Sequence, residues 1–169
     1  TAEAVKWAAA HEGPVYLRLS RMKVPTLDLP GRSFTPGKAE LQRAGSDVTI
    51  IANGTTVHLA LEAAEALAEE SVSARVLNMH TITPLDTNAV IAAARETGAI
   101  VTVEEALDRG GLGGAVAEQT SATYPVPVQR VGFPGFMPTG SIASLFEEFG
   151  LSRDGIVSAA RIAVRRKGA

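Results

Sequence analysis

The stretch Asp47-Val-Thr-Ile-Ile-Ala-Asn-Gly54 restricts the choice of folds more than any other part of the chain. Val48 to Ala52 is a short apolar, β-branched run closed by Asn53-Gly54. A strand without polar alternation has two faces to bury, which is the condition of a strand inside a parallel sheet. Thr55 or Thr56 can then cap a helix whose apolar positions Val57, Ala60, Leu61, Ala64, Leu67 and Ala68 follow the three-and-four spacing. Ala74-Arg-Val-Leu-Asn78 reads as a second strand, which completes a β-α-β unit. Two more strands are predicted over 99–103 and 126–131, each reached through a helical pattern. The class is α/β, and function has to be sought in sites rather than in the class.

At 169 residues the chain has room for one domain of ordinary size with some excess. Sixteen Lys and Arg against eighteen Asp and Glu give a slightly acidic balance, which recruits neither nucleic acid nor an anionic membrane. The cluster Arg165-Arg166-Lys167 suits the C-terminus of a helix. Absence of cysteine excludes disulfides, thiolate metal sites and a cysteine nucleophile, and agrees with a reducing cytoplasm. No segment approaches the ~18 apolar residues of a membrane span, and a soluble, cytoplasmic protein is expected.

The chain opens on a helical pattern with Ala4, Val5, Ala8 and Ala9 on one stripe, stopped by Gly13-Pro14. Val15-Tyr-Leu-Arg-Leu-Ser-Arg21 alternates and predicts a strand. One helix and one strand cannot bury their apolar faces alone, so the chain is expected to begin partway through another domain. Residues 23–37, with Pro25, Pro30 and Pro36, read as a stiff linker. Ala39-Glu-Leu-Gln-Arg43 lies too close to Val48 for a helical crossover, so it should pair antiparallel at an edge or as a hairpin. Asp86 is an N-cap for a helix over Thr87–Thr97, with Gly98 as its C-cap. Later helices are expected from about Ala115 to Thr123, from Ser141 to Phe149, and from Ser152 to about Arg165.

Several residues are candidates for chemistry. Gly110-Gly-Leu-Gly-Gly114 joins a strand to a helix, so Gly111, Leu112 and Gly113 can present N–H groups to an anion. The third glycine of a dinucleotide fingerprint and the Gly-Lys of a P-loop are both absent, and small residues also let a helix start hard against a sheet. Glu104 and Glu105 stand at the carboxyl end of a strand, where α/β sheets place their sites. Successive strand residues face opposite ways, so at most one enters a given cleft, and either can line a channel or an interface. His80 follows the second strand of the β-α-β unit at the same end, with a substrate-channel or interface role open to it. Arg21 ends the alternating strand at a domain boundary, where its guanidinium can fork onto a phosphate or carboxylate or close an interdomain salt bridge.

The ordered set Gly37-Lys-Ala-Glu40, Gly45-Ser-Asp-Val-Thr-Ile-Ile-Ala-Asn-Gly54, Asn78-Met-His-Thr-Ile, Val101-Thr-Val-Glu-Glu105 and Gly110-Gly-Leu-Gly-x-Ala-Val-Ala-Glu118 resembles the C-terminal section of the transketolase family. Met-His-Thr-Ile and Leu151-Ser-x-x-Gly-Ile-Val resemble most the separately encoded C-terminal subunit of a split transketolase. The resemblance implies a three-layer α/β/α sandwich with a mainly parallel five-stranded sheet whose first short strand is antiparallel. It divides the chain into 1–22, the terminal helix and strand of a truncated pyrimidine-binding domain; 23–37, a linker; and 38–169, the C-terminal domain.

Family membership also implies a thiamine diphosphate enzyme that moves a two-carbon ketol unit from a ketose phosphate to an aldose phosphate. Its partners would be an N-terminal subunit or domain, in a homodimer or heterotetramer with active sites between subunits. Arg21 stands where the family grips the substrate phosphate. The family's Gly-Asp-Gly…Asn-Asn signature does not occur, so thiamine diphosphate and Mg would be bound by parts of the enzyme outside this span. No residue of the span is then catalytic, and alone it is expected to be inactive. Ala106 departs from the His or Asn often found after the paired glutamates. The beta subunit of a 2-oxo acid dehydrogenase shares this domain and is the alternative enzyme; a non-catalytic assembly or regulatory module is the alternative of another class.

Overall fold

The structure, a computed structural model, describes residues 1–27 and 34–167. Five strands form one sheet: β1 (Glu40–Arg43), β2 (Val48–Ala52), β3 (Ala74–Asn78), β4 (Ile100–Leu107) and β5 (Val128–Phe133). Their spatial order is β1-β3-β2-β4-β5. β2 is parallel to β3 and β4, and β4 is parallel to β5, while β1 runs antiparallel to β3. The edge position foreseen for β1 is therefore observed, but the hairpin with β2 is not. Both edges of β2 are taken by parallel neighbours, so β1 passes over to β3.

Helices cover both faces. α2 (Val57–Glu69) and α6 (Arg153–Arg166) lie on one, where Val48, Ile50 and Ala52 meet Ala60, Ala64, Leu67, Ile156 and Ala160. On the other, Ile51, Leu77 and Ile100 meet Val90 and Ala94 of α3 (Thr87–Thr97) and Leu112 and Val116 of α4 (Leu112–Thr123). Adjacent β2 residues thus enter different cores, and all five are buried. Thr49 adds a polar tie on the α3 side: its hydroxyl is 2.8 Å from that of Thr97, which donates to the Ala93 carbonyl. A short α5 (Ile142–Glu148) precedes α6.

Local signals set several of these boundaries. The Asp86 carboxylate accepts from the Ala89 amide, and Gly98 closes α3 with φ 65° in the left-handed region. Ser141 and Ser152 accept from Ser144 and Gly155 at the starts of α5 and α6. Thr56 does not act as the expected cap. Residues Gly54–Thr56 form a 3-10 turn, and the Thr56 hydroxyl instead donates to the carbonyls of Asn53 and Val103, tying the turn to β4.

The N-terminal region departs most from expectation. α1 (Ala2–Ala10) forms, but none of its residues is buried. The strand expected over 15–21 does not form, and residues 11–27 run as an arm without helix or strand. Tyr16 is 89% exposed and Leu19 58%. A strand is defined by a neighbour that pairs with its backbone, and among the described residues none lies alongside. Residues 28–33, within the expected linker, lie outside the described residues.

On the surface, α2 and α6 are bridged by Arg161, whose Nε donates to Glu70 Oε2 at 2.9 Å while an Nη pairs with Oε1. The hydrogen bond from Arg161 holds the Glu70 carboxyl below its ordinary value of 4.5. A lowered carboxylate stabilises the fold above its unfolded titration range and ceases to do so as the pH falls through the folded value. Glu70→Gln should therefore lower the urea midpoint at pH 7 but not at pH 3, and 1 M salt should shrink the pH 7 effect.

Candidate functional site

The order of the strands creates a crevice between the carboxyl ends of β2 and β4, because the chain leaves β2 for β3 on one side and returns to β4 on the other. Such switch points are where open α/β sheets place their ligands. The residues at these two strand ends are Asn53 to Thr56 after β2, and Glu104 and Glu105 near the end of β4.

The paired glutamates part company, as alternation along a strand requires. Glu104 turns under the start of α4 and is 3% exposed. Its Oε2 accepts from the Leu112 amide at 2.9 Å and its Oε1 from the Gly113 amide at 2.8 Å. A negative charge at these two orphan N–H groups is favoured by the helix dipole as well as by the bonds themselves. That fork explains why α4 starts at Leu112, three residues ahead of the expected Ala115: the start is fixed from β4, not by a local cap.

The glycine turn therefore holds an anion, and the anion is the chain's own. A β-carbon on Gly111 would stand 2.2 Å from Glu104 Oε2. One on Gly113 would stand 2.9 Å from Thr102 Oγ1 and 3.0 Å from Arg130 Cδ. Both positions need glycine because carboxylate and strand lie against the backbone there, so the reading of an external anion at Gly111, Leu112 and Gly113 gives way to the close-packing one. Glu104, with both oxygens engaged, faces the interior and not a channel.

Glu105 points the other way. Thr55 Oγ1 donates to its Oε2 at 2.6 Å, and Thr55 is itself buried. The second oxygen, Oε1, lies 3.8 Å from an Nη of Arg18 on the N-terminal arm. Sequence reasoning missed both partners. Thr55 was readable only as a helix cap, and Arg18 only as a polar position on the face opposite Leu17 and Leu19.

Arg21, three residues beyond Arg18, is exposed and pairs with no acidic group among the described residues. His80 lies past the end of β3, half-buried, with Nδ1 2.9 Å from Thr81 Oγ1 and its ring tilted against Phe34 at 4.7 Å. The structure thus brings Glu105 together with the arm that carries Arg21 and leaves His80 at another strand end. Asp86, besides capping α3, accepts from the Ala39 amide at 3.0 Å and lies 3.7 Å from Lys38 Nζ, which ties the approach to β1 into the same end of the sheet.

The donor set does not suit thiamine diphosphate or its metal. Among the described residues no group of three His, Asp or Glu side chains converges as metal ligands would. The N–H cradle at α4, which could take a phosphate, is filled by Glu104. The polar groups at this end of the sheet are engaged with one another: Glu104 with two amides, Glu105 with the Thr55 hydroxyl and Arg18, and His80 with the Thr81 hydroxyl. No helix among the described residues is long and apolar enough to cross a membrane.

A mainly parallel five-stranded sheet between two helical layers, with one antiparallel edge strand, defines the class of the fold. The chain belongs to the transketolase C-terminal domain family, whose model, "Transketolase, C-terminal domain", matches residues 37–156. It is 48% identical over 159 residues to the 6-deoxy-6-sulfo-D-fructose transketolase subunit SqwH of Clostridium sp. (strain MSTE9), covering 94% of this chain and 49% of that protein. It is 41% identical to a subunit of the apulose-4-phosphate transketolase of Phocaeicola vulgatus, covering 95% of this chain and 52% of the relative. A solved structure described as a split gene transketolase, inactive beta4 tetramer, superposes with a TM-score of 0.91 at 42% identity, covering 98% of this chain and 54% of its own. The chain spans about half the length of these relatives.

Removing the Glu104 carboxylate would strand two amides in a dry site. Glu104→Ala should cost roughly 2–4 kcal/mol of unfolding free energy in urea titrations, and Glu104→Gln, which keeps one acceptor, about half as much. Inorganic phosphate should leave the wild-type midpoint where chloride at equal ionic strength puts it, since the cradle is already filled.

Proposed function

We propose that this chain is the C-terminal portion of a thiamine-diphosphate-dependent transketolase that moves a two-carbon ketol unit from a ketose phosphate to an aldose phosphate. The observation that carries this reading is the relation to transketolase subunits, which extends over nearly the whole chain at 48% and 41% identity. The span supplies subunit contacts and walls of the substrate channel, while thiamine diphosphate and magnesium sit in an N-terminal subunit or domain. That the relatives are named as transketolase subunits supports the existence of a partner subunit. The assembly is a homodimer or a heterotetramer working in the cytoplasm, and the isolated span is inactive.

Arg21 is the residue of this span that meets the substrate, as a grip on its phosphate. Its exposure and its freedom from acidic partners among the described residues leave the guanidinium available. Planar, permanently charged and rich in donors, it can hold two phosphate oxygens in a fixed fork, a geometry that the compact ammonium of a lysine lacks. His80, Glu104 and Glu105 shape the surroundings and take no part in bond making. A second reading has its own observation: the 1-deoxy-D-xylulose-5-phosphate synthase of Symbiobacterium thermophilum is 40% identical over 94% of this chain, which covers 25% of that protein. That reading predicts condensation of pyruvate with an aldose phosphate in place of ketol transfer.

Mixing the full-length subunit with its N-terminal partner, thiamine diphosphate and magnesium should restore ketol transfer between sugar phosphates, followed by product chromatography. No transfer across a panel of ketose donors would overturn the reading, and product from pyruvate would favour the second. In the active assembly, Arg21→Ala should raise KM for the phosphorylated donor about tenfold or more, the loss of a charge-assisted bond worth roughly 1.5–3 kcal/mol. Sedimentation of the variant should match wild type.

A further inference from the structure

The turn after β2 carries a chemically labile pair, Asn53-Gly54. Asparagine followed by glycine is especially prone to lose its side-chain ammonia, because glycine puts no side chain beside the attacking backbone nitrogen. The fold nevertheless requires that glycine. Gly54 has φ 54°, in the left-handed region that a residue with a β-carbon occupies only at a cost. Asn53, in turn, does not use its side chain as a cap for the turn that follows.

Ring closure sets a geometric condition. The Gly54 nitrogen has to swing about the Cα–C bond of Asn53 until it is eclipsed with Cβ, within reach of the side-chain carbonyl carbon. Asn53 is extended, with φ −138° and ψ 155°, which holds the nitrogen well away from that position. The peptide unit is planar, so turning ψ toward closure swings the Asn53 carbonyl oxygen through the same angle. That oxygen is held twice by one residue: it accepts from the Thr56 amide at 3.1 Å and from the Thr56 hydroxyl at 2.9 Å. Thr56 is in no position to follow the rotation. It is fully buried, and its hydroxyl is also 2.9 Å from the Val103 carbonyl of β4. On the other side of Asn53, the Ala52 carbonyl accepts from the Met79 amide at 2.8 Å, which pins the strand end.

We propose that Asn53-Gly54 is a deamidation site held shut by Thr56. When the turn opens, the Gly54 amide nitrogen gives its proton to solvent hydroxide and attacks Asn53 Cγ. The new C–N bond closes a succinimide ring, and the carboxamide nitrogen leaves as ammonia, taking a proton from water. Water then opens the ring at either carbonyl, giving aspartate or isoaspartate and one added negative charge. In isoaspartate the main chain runs through the side-chain carbons and is longer by one atom. The extra atom falls in the turn that seats Thr55 against Glu105 and Thr56 against Val103, so the lesion lies at the crevice end of the sheet.

The test ages the full-length protein at mildly alkaline pH and follows the peptide spanning residue 53 by its gain in mass and by enzymatic methylation of isoaspartate. Folded wild type should react about tenfold or more slowly than the same protein in urea. That factor should equal the protection of the Thr56 amide against hydrogen exchange, since one opening controls both. Thr56→Val, which keeps the shape and loses the hydroxyl, should react roughly two- to tenfold faster than wild type, the change in open population for one lost hydrogen bond. Thr56→Ser, which keeps the hydroxyl, should stay within about twofold. Ser152→Ala, which removes the cap of α6 and leaves the turn alone, should stay there too.

Equal rates folded and in urea, or a slowing unlike the Thr56 protection, would overturn the lock. So would an unchanged rate in Thr56→Val, or equal acceleration by Thr56→Val and either control. If Thr56→Val does not fold, the match between slowing and protection in wild type decides. No reaction at residue 53 even in urea would overturn the site itself. None of these rates depends on ketol transfer, so their outcome is separate from that of the transketolase reading.

Discussion

Every layer of this domain answers to the burial of β2 on both faces. Five residues with no exposure leave no room for a solvated side, so the chain has to supply helices above and below. It does so by sending α2 and α6 to one face and α3 and α4 to the other, with Ile50 and Ile51 as neighbouring anchors of two separate cores. With parallel strands on both its edges, β2 also fixes the middle of the sheet, and the reversal of strand order beside it creates the crevice. The site's location thus follows from a packing requirement and not from any reactive residue.

At that crevice, two successive carboxylates do different physical work because a strand turns them apart. Glu104 is desolvated and compensated by two amides and a helix dipole; Glu105 stays at the rim, compensated by a hydroxyl and an arginine. Fold and family place the chain among transketolase C-terminal domains.

Features written in short stretches were legible in the amino-acid sequence. The apolar run of β2, the Asp86 and Gly98 boundaries of α3, and the serine caps of α5 and α6 all depend on residues within one turn of the feature they set. Features that depend on a distant partner were not. The start of α4 answers to a glutamate eight residues earlier on another element. Thr56 ties its turn to the Val103 carbonyl, which no local pattern announces. The alternating residues 15–21 match a strand template, but alternation states only which faces a strand would have, not that a neighbour lies beside it. For the glutamates, alternation foretold that the pair would separate; which one would go inward depended on the register of β4 against α4.

The filled cradle at Gly111–Gly113 has a consequence for how the domain tolerates its surroundings. Living cells are crowded with phosphate esters, and an open amide nest would collect them without regard to need. A tethered carboxylate competes at an effective concentration that dissolved anions do not approach. The start of α4 is in this respect pre-saturated: its dipole is met from within by the Glu104 carboxylate.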